Sequence, residues 1–166
     1  MSKKRVKGQI DLSFGVIFSI ILIVAIIGVA FYAITYFLNI KKCSDIAFFY
    51  KDLEGEINRA YGSQLYQDVF EGGLPSGIDS VCFGNLSSSL ARQYGKEYEF
   101  LKRYKDINAN LFLYPNKNAC DSNLAYTNLE HVKMSENVFF CSSVKNGKVQ
   151  IKIDKSNFDS LISLSK

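Results

Sequence analysis

The sequence predicts an α+β protein in which a single N-terminal transmembrane helix continues into an amphipathic helix packed on an antiparallel sheet. Three observations lead to this prediction. An uncharged apolar run extends from Leu12 to Leu38, a helical stripe of apolar residues follows it, and a hairpin pattern lies near the end of the chain. They divide the chain into a basic tail or leader at residues 1–11, a transmembrane helix at 12–38 and a domain at 39–166.

The apolar run is long enough to cross a bilayer. A helix needs roughly 20 apolar residues to span the hydrocarbon core, and residues 12–38 would reach roughly 40 Å. Its most polar members are Ser13, Ser19 and Thr35, whose hydroxyls can hydrogen-bond back into the helix. Gly28 offers a small surface for helix packing, although the run has no GxxxG motif. The lipid bilayer is therefore the first partner that the sequence predicts.

Charge around the run predicts its orientation. Short flanks that are rich in Lys and Arg tend to stay in the cytoplasm. The basic residues are Lys3, Lys4, Arg5 and Lys7 before the run, and Lys41 and Lys42 directly after it. This imbalance favours a cytoplasmic N-terminus.

The cysteines support the same orientation, because all four follow the run: Cys43, Cys82, Cys120 and Cys141. An even count confined to one side predicts disulfides in an oxidising compartment, and the alternative is four unrelated buried thiols. Three pairings are possible, and the spacing does not choose among them. No CxxC pair is present, so no metal site is predicted. We expect a single-pass protein of the cell membrane with its C-terminal domain outside.

The border of the apolar run carries a family resemblance. Lys7-Gly8-Gln9-Ile10-Asp11-Leu12-Ser13-Phe14, followed by a long apolar helix, resembles the start of archaeal class III signal peptides, which belong to type IV pilin-like proteins. The resemblance implies that a pilin-type peptidase cuts between Gly8 and Gln9 and leaves the helix on the mature protein. The family usually has Ser at mature position 3 and Glu at position 5, whereas this chain has Asp11 and Ser13 there.

Asp11 has two interpretations. An acidic residue in the first turn of a helix interacts favourably with the helix dipole, so it can be an interfacial cap. Alternatively, because a charge beside an apolar segment is costly unless paired, it can form a salt bridge with the new amino terminus of a neighbouring subunit. In that case copies of this chain, or other pilin-like subunits, are partners through the apolar helix.

After the run, Lys41–Tyr61 is predicted to form an amphipathic helix that continues from the span or follows a brief kink. Apolar residues recur there every three or four positions: Ile46, Phe49, Leu53, Ile57 and Ala60.

The middle of the chain predicts short strands and one helix. Strands are expected at Gln64–Phe70, Ile78–Phe83 and Asn110–Tyr114, with a turn-rich connection at 71–77 and a long loop at 116–128. A helix is expected from Asn85 or Ser87 to about Tyr104, with a Glu99–Arg103 ion pair. Its apolar stripe comprises Leu86, Leu90, Tyr94, Tyr98 and Leu101.

A hairpin near the C-terminus is the clearest element of the domain. Strands at 137–144 and 148–154 flank Asn146-Gly147, the preferred pair for a type I′ turn. Val149, Ile151 and Ile153 alternate with polar residues, so one face should be buried. The first strand is apolar on both faces, which favours an interior position in one sheet of four or five strands. Ser156 is then predicted to cap a short helix with Phe158, Leu161 and Ile162 facing inward.

Asn85-Leu86-Ser87 is the only N-glycosylation sequon in the sequence. If the domain lies outside the cell, Asn85 can carry a glycan. The alternative interpretation is that Asn85 caps the helix that was predicted to follow it.

Composition and motifs point away from catalysis. The net charge of +4 comes largely from the basic tail, so nucleic acid is not a predicted partner. His131 is the only histidine, and the sequence has no GxSxG, Walker or GxGxxG motif. We therefore predict no enzyme, catalytic residue, metal or cofactor. Two functions remain: a pilin-like structural subunit of a surface filament or envelope assembly, and an uncleaved single-pass surface protein whose head domain binds a partner.

Overall fold

A computed structural model describes residues 14–133 and 138–166 of the chain. It has a long apolar N-terminal helix followed by a region of antiparallel sheet, and it is therefore α+β. The chain forms two compact units, of which the first ends at Leu38 and the second, the head domain, begins at Asn39.

Helix α1 extends from Phe14 to Gly62, so the helix predicted at Lys41–Tyr61 belongs to the same helix as the described part of the apolar run. In the head domain its predicted stripe is confirmed, because Ile46, Phe49, Leu53, Ile57 and Ala60 are all buried, together with Tyr50. Phe49 packs on Phe70 with a ring-centroid distance of 6.0 Å. The helical period of the apolar residues thus fixes which side of α1 faces the core.

The first sheet has the strand order β1–β6–β7 and is antiparallel throughout. These strands are β1 (Tyr66–Gly73), β6 (Lys148–Lys155) and β7 (Ser163–Ser165). The predicted alternation in β6 is confirmed, because Val149, Ile151 and Ile153 are fully buried. Asn146 and Gly147 have φ values of 53° and 74°, as a type I′ turn requires.

The second sheet has the order β4–β3–β2–β5 and is also antiparallel. Its strands are β2 (Ser80–Gly84), β3 (Leu111–Tyr114), β4 (Tyr126–Thr127) and β5 (Phe139–Ser143). One face, including Val81 and Phe83, joins the main core with α1. The other face, including Cys82 and Phe112, builds a second core with residues 86–101.

The prediction of one sheet with four or five strands is wrong, since the described residues form seven strands in two sheets. The two strands of the hairpin separate just beyond their turn: β5 pairs with β2, and β6 pairs with β1. A single hydrogen bond from the Ser142 hydroxyl to the Gln150 carbonyl, 2.8 Å long, still joins them. Phe139 faces the second core and Phe140 packs against the main core, so β5 is apolar on both faces. The predicted interior position is wrong, because β5 is an edge strand.

The helix predicted from residue 85 to about 104 is confirmed only in its last part, from Gly95 onward. The chain instead forms 3-10 turns at Ala91–Gln93 and Lys102–Tyr104 on either side of a short helix α2, Gly95–Leu101. The side chains of Asn85 and Ser88 accept hydrogen bonds from nearby backbone N–H groups, which competes with helix formation. The apolar stripe nevertheless faces the second core.

Glu99 pairs with Lys102 at 2.6 Å and not with the predicted Arg103. Arg103 instead lies over the ring of Phe100, 4.5 Å from its centroid. Because Lys102 and Glu99 are three residues apart, the pair still follows helical spacing.

The predicted C-terminal helix is replaced by a turn and strand β7. The Ser156 hydroxyl donates to Asp159 across that turn, and Phe158 is 100% exposed instead of facing inward. Ile162 is buried as expected, whereas Leu161 is exposed. Pairing of β7 with β6 therefore outweighs the local helical pattern.

Two connections differ from their predicted bounds. Strand β1 continues to Gly73, into the segment predicted as a turn. The loop predicted at 116–128 contains 3-10 turns at Asn116–Asn118 and Ser122–Leu124, and then β4.

Candidate functional site

The part of α1 in the first unit has large apolar side chains on every side. They are exposed from Phe14 to Leu38, where Ala33 alone is half-buried. Among the described residues, α1 is the one helix long and apolar enough to cross a membrane. A surface of this kind needs lipid or other apolar helices around it, because contact with water is unfavourable by about 25 cal/mol per Å² of apolar area.

Two hydroxyl groups of this segment, those of Ser19 and Thr35, form hydrogen bonds with carbonyl groups of the same helix, as predicted. The Ser19 hydroxyl donates to the Gly15 carbonyl at 2.8 Å, and the Thr35 hydroxyl donates to the Tyr32 carbonyl at 2.9 Å. Ser13 precedes the described residues. The helix could therefore carry these hydroxyls in an apolar environment without an unpaired donor.

Aromatic residues collect near the end of the segment, a feature that the sequence analysis missed. The rings of Tyr32 and Tyr36 stack with centroids 6.3 Å apart, and Tyr36 meets Phe37 edge to face. Lys41 and Lys42 follow within a few residues. Aromatic rings followed by basic residues are typical of a membrane–water interface, and this composition was the available sequence signal.

Three candidate residues of the leader lie outside the described residues: Gly8, Gln9 and Asp11. Cleavage between Gly8 and Gln9 and the role of Asp11 therefore stay predictions.

The cysteines of the head domain lie in two disulfides, one of which fastens α1 to the loop after β3. Cys43 is bonded to Cys120, with Cα atoms 5.0 Å apart. A second contact reinforces this attachment, because the Tyr50 hydroxyl donates to the Leu124 carbonyl at 2.7 Å. Burial raises the pKa of Tyr50 far above its ordinary value, since the phenolate would be desolvated there.

The other disulfide joins neighbouring strands of the second sheet. Cys82 of β2 lies directly opposite Cys141 of β5, with Cα atoms 3.9 Å apart. Both cysteines are buried in the second core. The pairing follows from the fold, because strand register brings these residues together and chain spacing alone does not.

Asn85 is exposed at the end of β2, where its side chain closes a tight turn. Its Oδ1 accepts a hydrogen bond from the Ser87 N–H at 2.8 Å, and its own N–H donates to the Val138 carbonyl at 3.0 Å. The helix-cap interpretation of Asn85 is wrong, since no helical segment of the described chain begins there before Ala91. Beside Asn85 opens a shallow cleft of about 260 Å³, lined in part by Tyr104, Asn108 and Asn128.

His131 has a structural position at the end of α1. Its ring stacks on Tyr61 with a centroid distance of 3.8 Å, and its backbone adopts a φ of 64°. Lys155 lies near the same Tyr61 ring and donates to the carbonyls of Tyr61 and Ser63. This cluster caps the C-terminal end of α1 with a cation, an arrangement that the helix dipole favours.

An ion pair at the surface of the head domain joins Glu71 of β1 to Lys148 of β6. Glu71 contacts Lys148 and Gln150 in a cleft of about 440 Å³, and hydrogen bonds from these two side chains hold the pKa of Glu71 below its ordinary value.

In residues 14–133 and 138–166, no group of three or more His, Cys, Asp and Glu side chains is arranged to hold a metal ion.

Comparisons with models of protein families, with curated proteins and with solved structures give no match to this chain. The residues and geometry described above are therefore the basis for proposing a function.

Proposed function

We propose that this protein is a membrane-anchored extracytoplasmic structural protein, a pilin-like subunit of a surface filament or envelope assembly. The observation that carries the proposal is the change in α1 along its length. Its large apolar side chains are exposed from Phe14 to Leu38, and from Ile46 onward one side is buried in a folded domain. One helix thus supplies both an apolar surface that needs a cover and the framework of the head domain.

The exposed apolar residues of α1 favour burial of this segment by lipid or by other subunits, because they are contiguous. Soluble monomers rarely expose apolar patches larger than a few hundred Å². Isolated surface residues would need no partner, but here every described turn before Leu38 is apolar. Lipid covers such a helix in the membrane, and equivalent helices of other subunits cover it in a filament.

The two disulfides support an outside location for the head domain. Disulfides persist in oxidising compartments and are rare in the cytosol. Both Cys43–Cys120 and Cys82–Cys141 follow the apolar segment. Together with the basic residues that precede the segment, they favour a cytoplasmic N-terminus and an exported domain.

The leader residues favour a pilin-like subunit over a simple anchor. Gly8-Gln9 resembles the cleavage site of the pilin-type peptidase, and Asp11 lies where a charge can meet a neighbouring amino terminus. Cutting after Gly8 would remove the basic residues and leave the apolar helix at the start of the mature chain.

Intact-mass measurement on protein isolated from native membranes tests the proposal. We expect an N-terminus at Gln9, and filaments or larger assemblies in sheared-cell fractions. A chain that starts only at Met1 or Ser2, without any assembly, would overturn the pilin-like function and favour an uncleaved surface protein with a partner-binding head domain.

A matched pair of variants tests the role of Asp11. Asp11→Asn removes the charge, whereas Asp11→Glu keeps it. If Asp11 pairs with the amino terminus of a neighbour, the first variant loses assembly and the second keeps it, while both remain in the membrane. Normal assembly of Asp11→Asn would leave Asp11 as an interfacial cap only.

A further inference from the structure

We infer that Asn85 is an N-glycosylation site and that the modification occurs on the exported head domain. The donor would be a lipid-linked saccharide, used by a membrane transferase that reads the Asn85-Leu86-Ser87 sequon. This inference depends on the part of the proposed function that places the head domain outside, and it is independent of whether filaments form.

The two polar residues of the sequon are accessible on the folded domain. Asn85 and Ser87 are both exposed, whereas Leu86 between them is buried in the second core. The buried Leu86 anchors the turn and directs its two neighbours away from the core. The two side chains that a transferase must reach are therefore available on the folded domain.

The hydrogen bonds of the turn are compatible with a glycan. Asn85 uses Oδ1 as the acceptor for the Ser87 N–H, and its main chain is held by bonds to Val138 and Ser88. N-glycosylation joins the sugar to Nδ2 and leaves Oδ1 in place. The modified residue can therefore keep every one of these hydrogen bonds.

The modification of Asn85 is a glycosyl transfer. A bond forms between Nδ2 of Asn85 and the anomeric carbon of the donor, while the bond from that carbon to the phosphate oxygen of the lipid carrier breaks. Nδ2 loses one proton, and the lipid phosphate leaves with the bonding electron pair. No electron acceptor or donor is required.

The surroundings of Asn85 leave room for the first sugar. The shallow cleft beside it is open, and Asn108 and Asn128 are among the residues that line it. Asparagine side chains can hydrogen-bond to sugar hydroxyls. A glycan at this position adds polar surface to the domain without displacing core residues.

The test is the intact mass of the protein isolated from its native cells, together with peptide mapping. We expect wild type to carry a saccharide mass on the peptide that contains Asn85. Asn85→Gln and Ser87→Ala should lose the whole increment, and Ser87→Thr, which preserves the hydroxyl, should keep it. An unmodified wild-type Asn85, or an increment that survives in Ser87→Ala, would overturn the inference.

Two controls separate folding and location from modification. Asn85→Asp keeps an oxygen acceptor for the Ser87 N–H, so it should retain both disulfides while losing the glycan. Labelling of intact cells with a membrane-impermeant amine reagent reports whether the head domain is outside. A labelled domain with a bare Asn85 refutes glycosylation alone, whereas an unlabelled domain refutes the outside location in the proposed function as well.

Discussion

At the scale of single residues, the burial of a side chain determines how strongly it affects stability. Leu53 is fully buried against the main core, whereas Leu65, just after the helix, is 68% exposed. Both are leucines, so the same truncation removes the same atoms in two different environments. They form a matched pair for measuring the contribution of the core.

Leu53→Ala should lower the free energy of unfolding by about 2–5 kcal/mol, because it removes buried methyl groups and leaves a cavity. Leu65→Ala should change it by less than about 0.5 kcal/mol. Denaturant unfolding of the detergent-solubilised full chain, followed by circular dichroism, measures both. Equal losses in the two variants would contradict the position of Leu53 in the core.

Two tyrosines of the head domain predict a loss of stability at alkaline pH. The hydrogen bond to Glu56 raises the pKa of Tyr66 to about 12. Burial raises the pKa of Tyr50 far above its ordinary value. Below the ordinary tyrosine pKa of about 10, both groups are protonated in the folded and unfolded chains. As the pH rises from about 10 towards 12, the unfolded chain ionises first, so stability falls.

Unfolding measured at a series of pH values should show a plateau up to about pH 10 and a decline above it. Tyr66→Phe should flatten part of that decline, because it removes a group whose pKa differs between the two states. Tyr61→Phe is the control, since within the described chain its hydroxyl makes no hydrogen bond and its ring is retained. An unchanged slope in Tyr66→Phe would contradict the shift at Tyr66.

At the scale of elements, two adjacent glycines in β1 differ in what surrounds them. A Cβ added at Gly72 would lie 2.5 Å from a ring carbon of Phe49 and 2.7 Å from one of Phe70, whereas nothing lies within 4 Å of a Cβ at Gly73. Gly72 thus allows α1 to approach β1 closely.

Gly72→Ala should destabilise the head domain by about 1–3 kcal/mol, because the rings of Phe49 and Phe70 must move to accommodate the methyl group. Gly73→Ala should be close to neutral. Thermal unfolding of the two variants under identical conditions provides the comparison. A stable Gly72→Ala protein would show that the packing between α1 and β1 is looser than described.

The two disulfides should also differ in their resistance to reduction. Cys120 is exposed, whereas Cys82 and Cys141 are both buried. Under native conditions a small thiol should reduce Cys43–Cys120 first, because attack requires access to a sulfur atom. Timed alkylation followed by peptide mapping measures the order. Earlier labelling of Cys82 or Cys141 would contradict the burial of that pair.

The elements that the sequence predicted correctly have a strong local period. The buried stripe of α1 repeats every three or four residues, and in β6 the buried residues Val149, Ile151 and Ile153 alternate with polar ones. The errors occurred where tertiary pairing or side-chain hydrogen bonds outweighed the local pattern. Asn85 and Ser88 form turns in a segment with a helical apolar stripe, and β7 pairs with β6 where Ser156 predicted a helix.

At the scale of the whole molecule, the sequence identifies the candidate residues more readily than it predicts their arrangement in space. The four cysteines, the sequon and the apolar segment are all visible as residue types and positions. Their partners depend on contacts between distant parts of the chain: Cys82 meets Cys141 only because β2 pairs with β5. The aromatic residues before Lys41 were visible as composition, but only the helix shows that Tyr32 and Tyr36 stack along it.

The Cys43–Cys120 disulfide also sets the mechanical properties of the head domain. Tension applied between Asn39 and Lys166 would pass from Cys43 directly to Cys120 and bypass the intervening chain, since the two cysteines are 77 positions apart. Reducing both disulfides should lengthen the fully stretched domain by about 260 Å, at about 3.4 Å per residue. Force spectroscopy of oxidised and reduced protein measures this difference. In the oxidised protein, tension of this kind therefore does not extend the chain between Cys43 and Cys120.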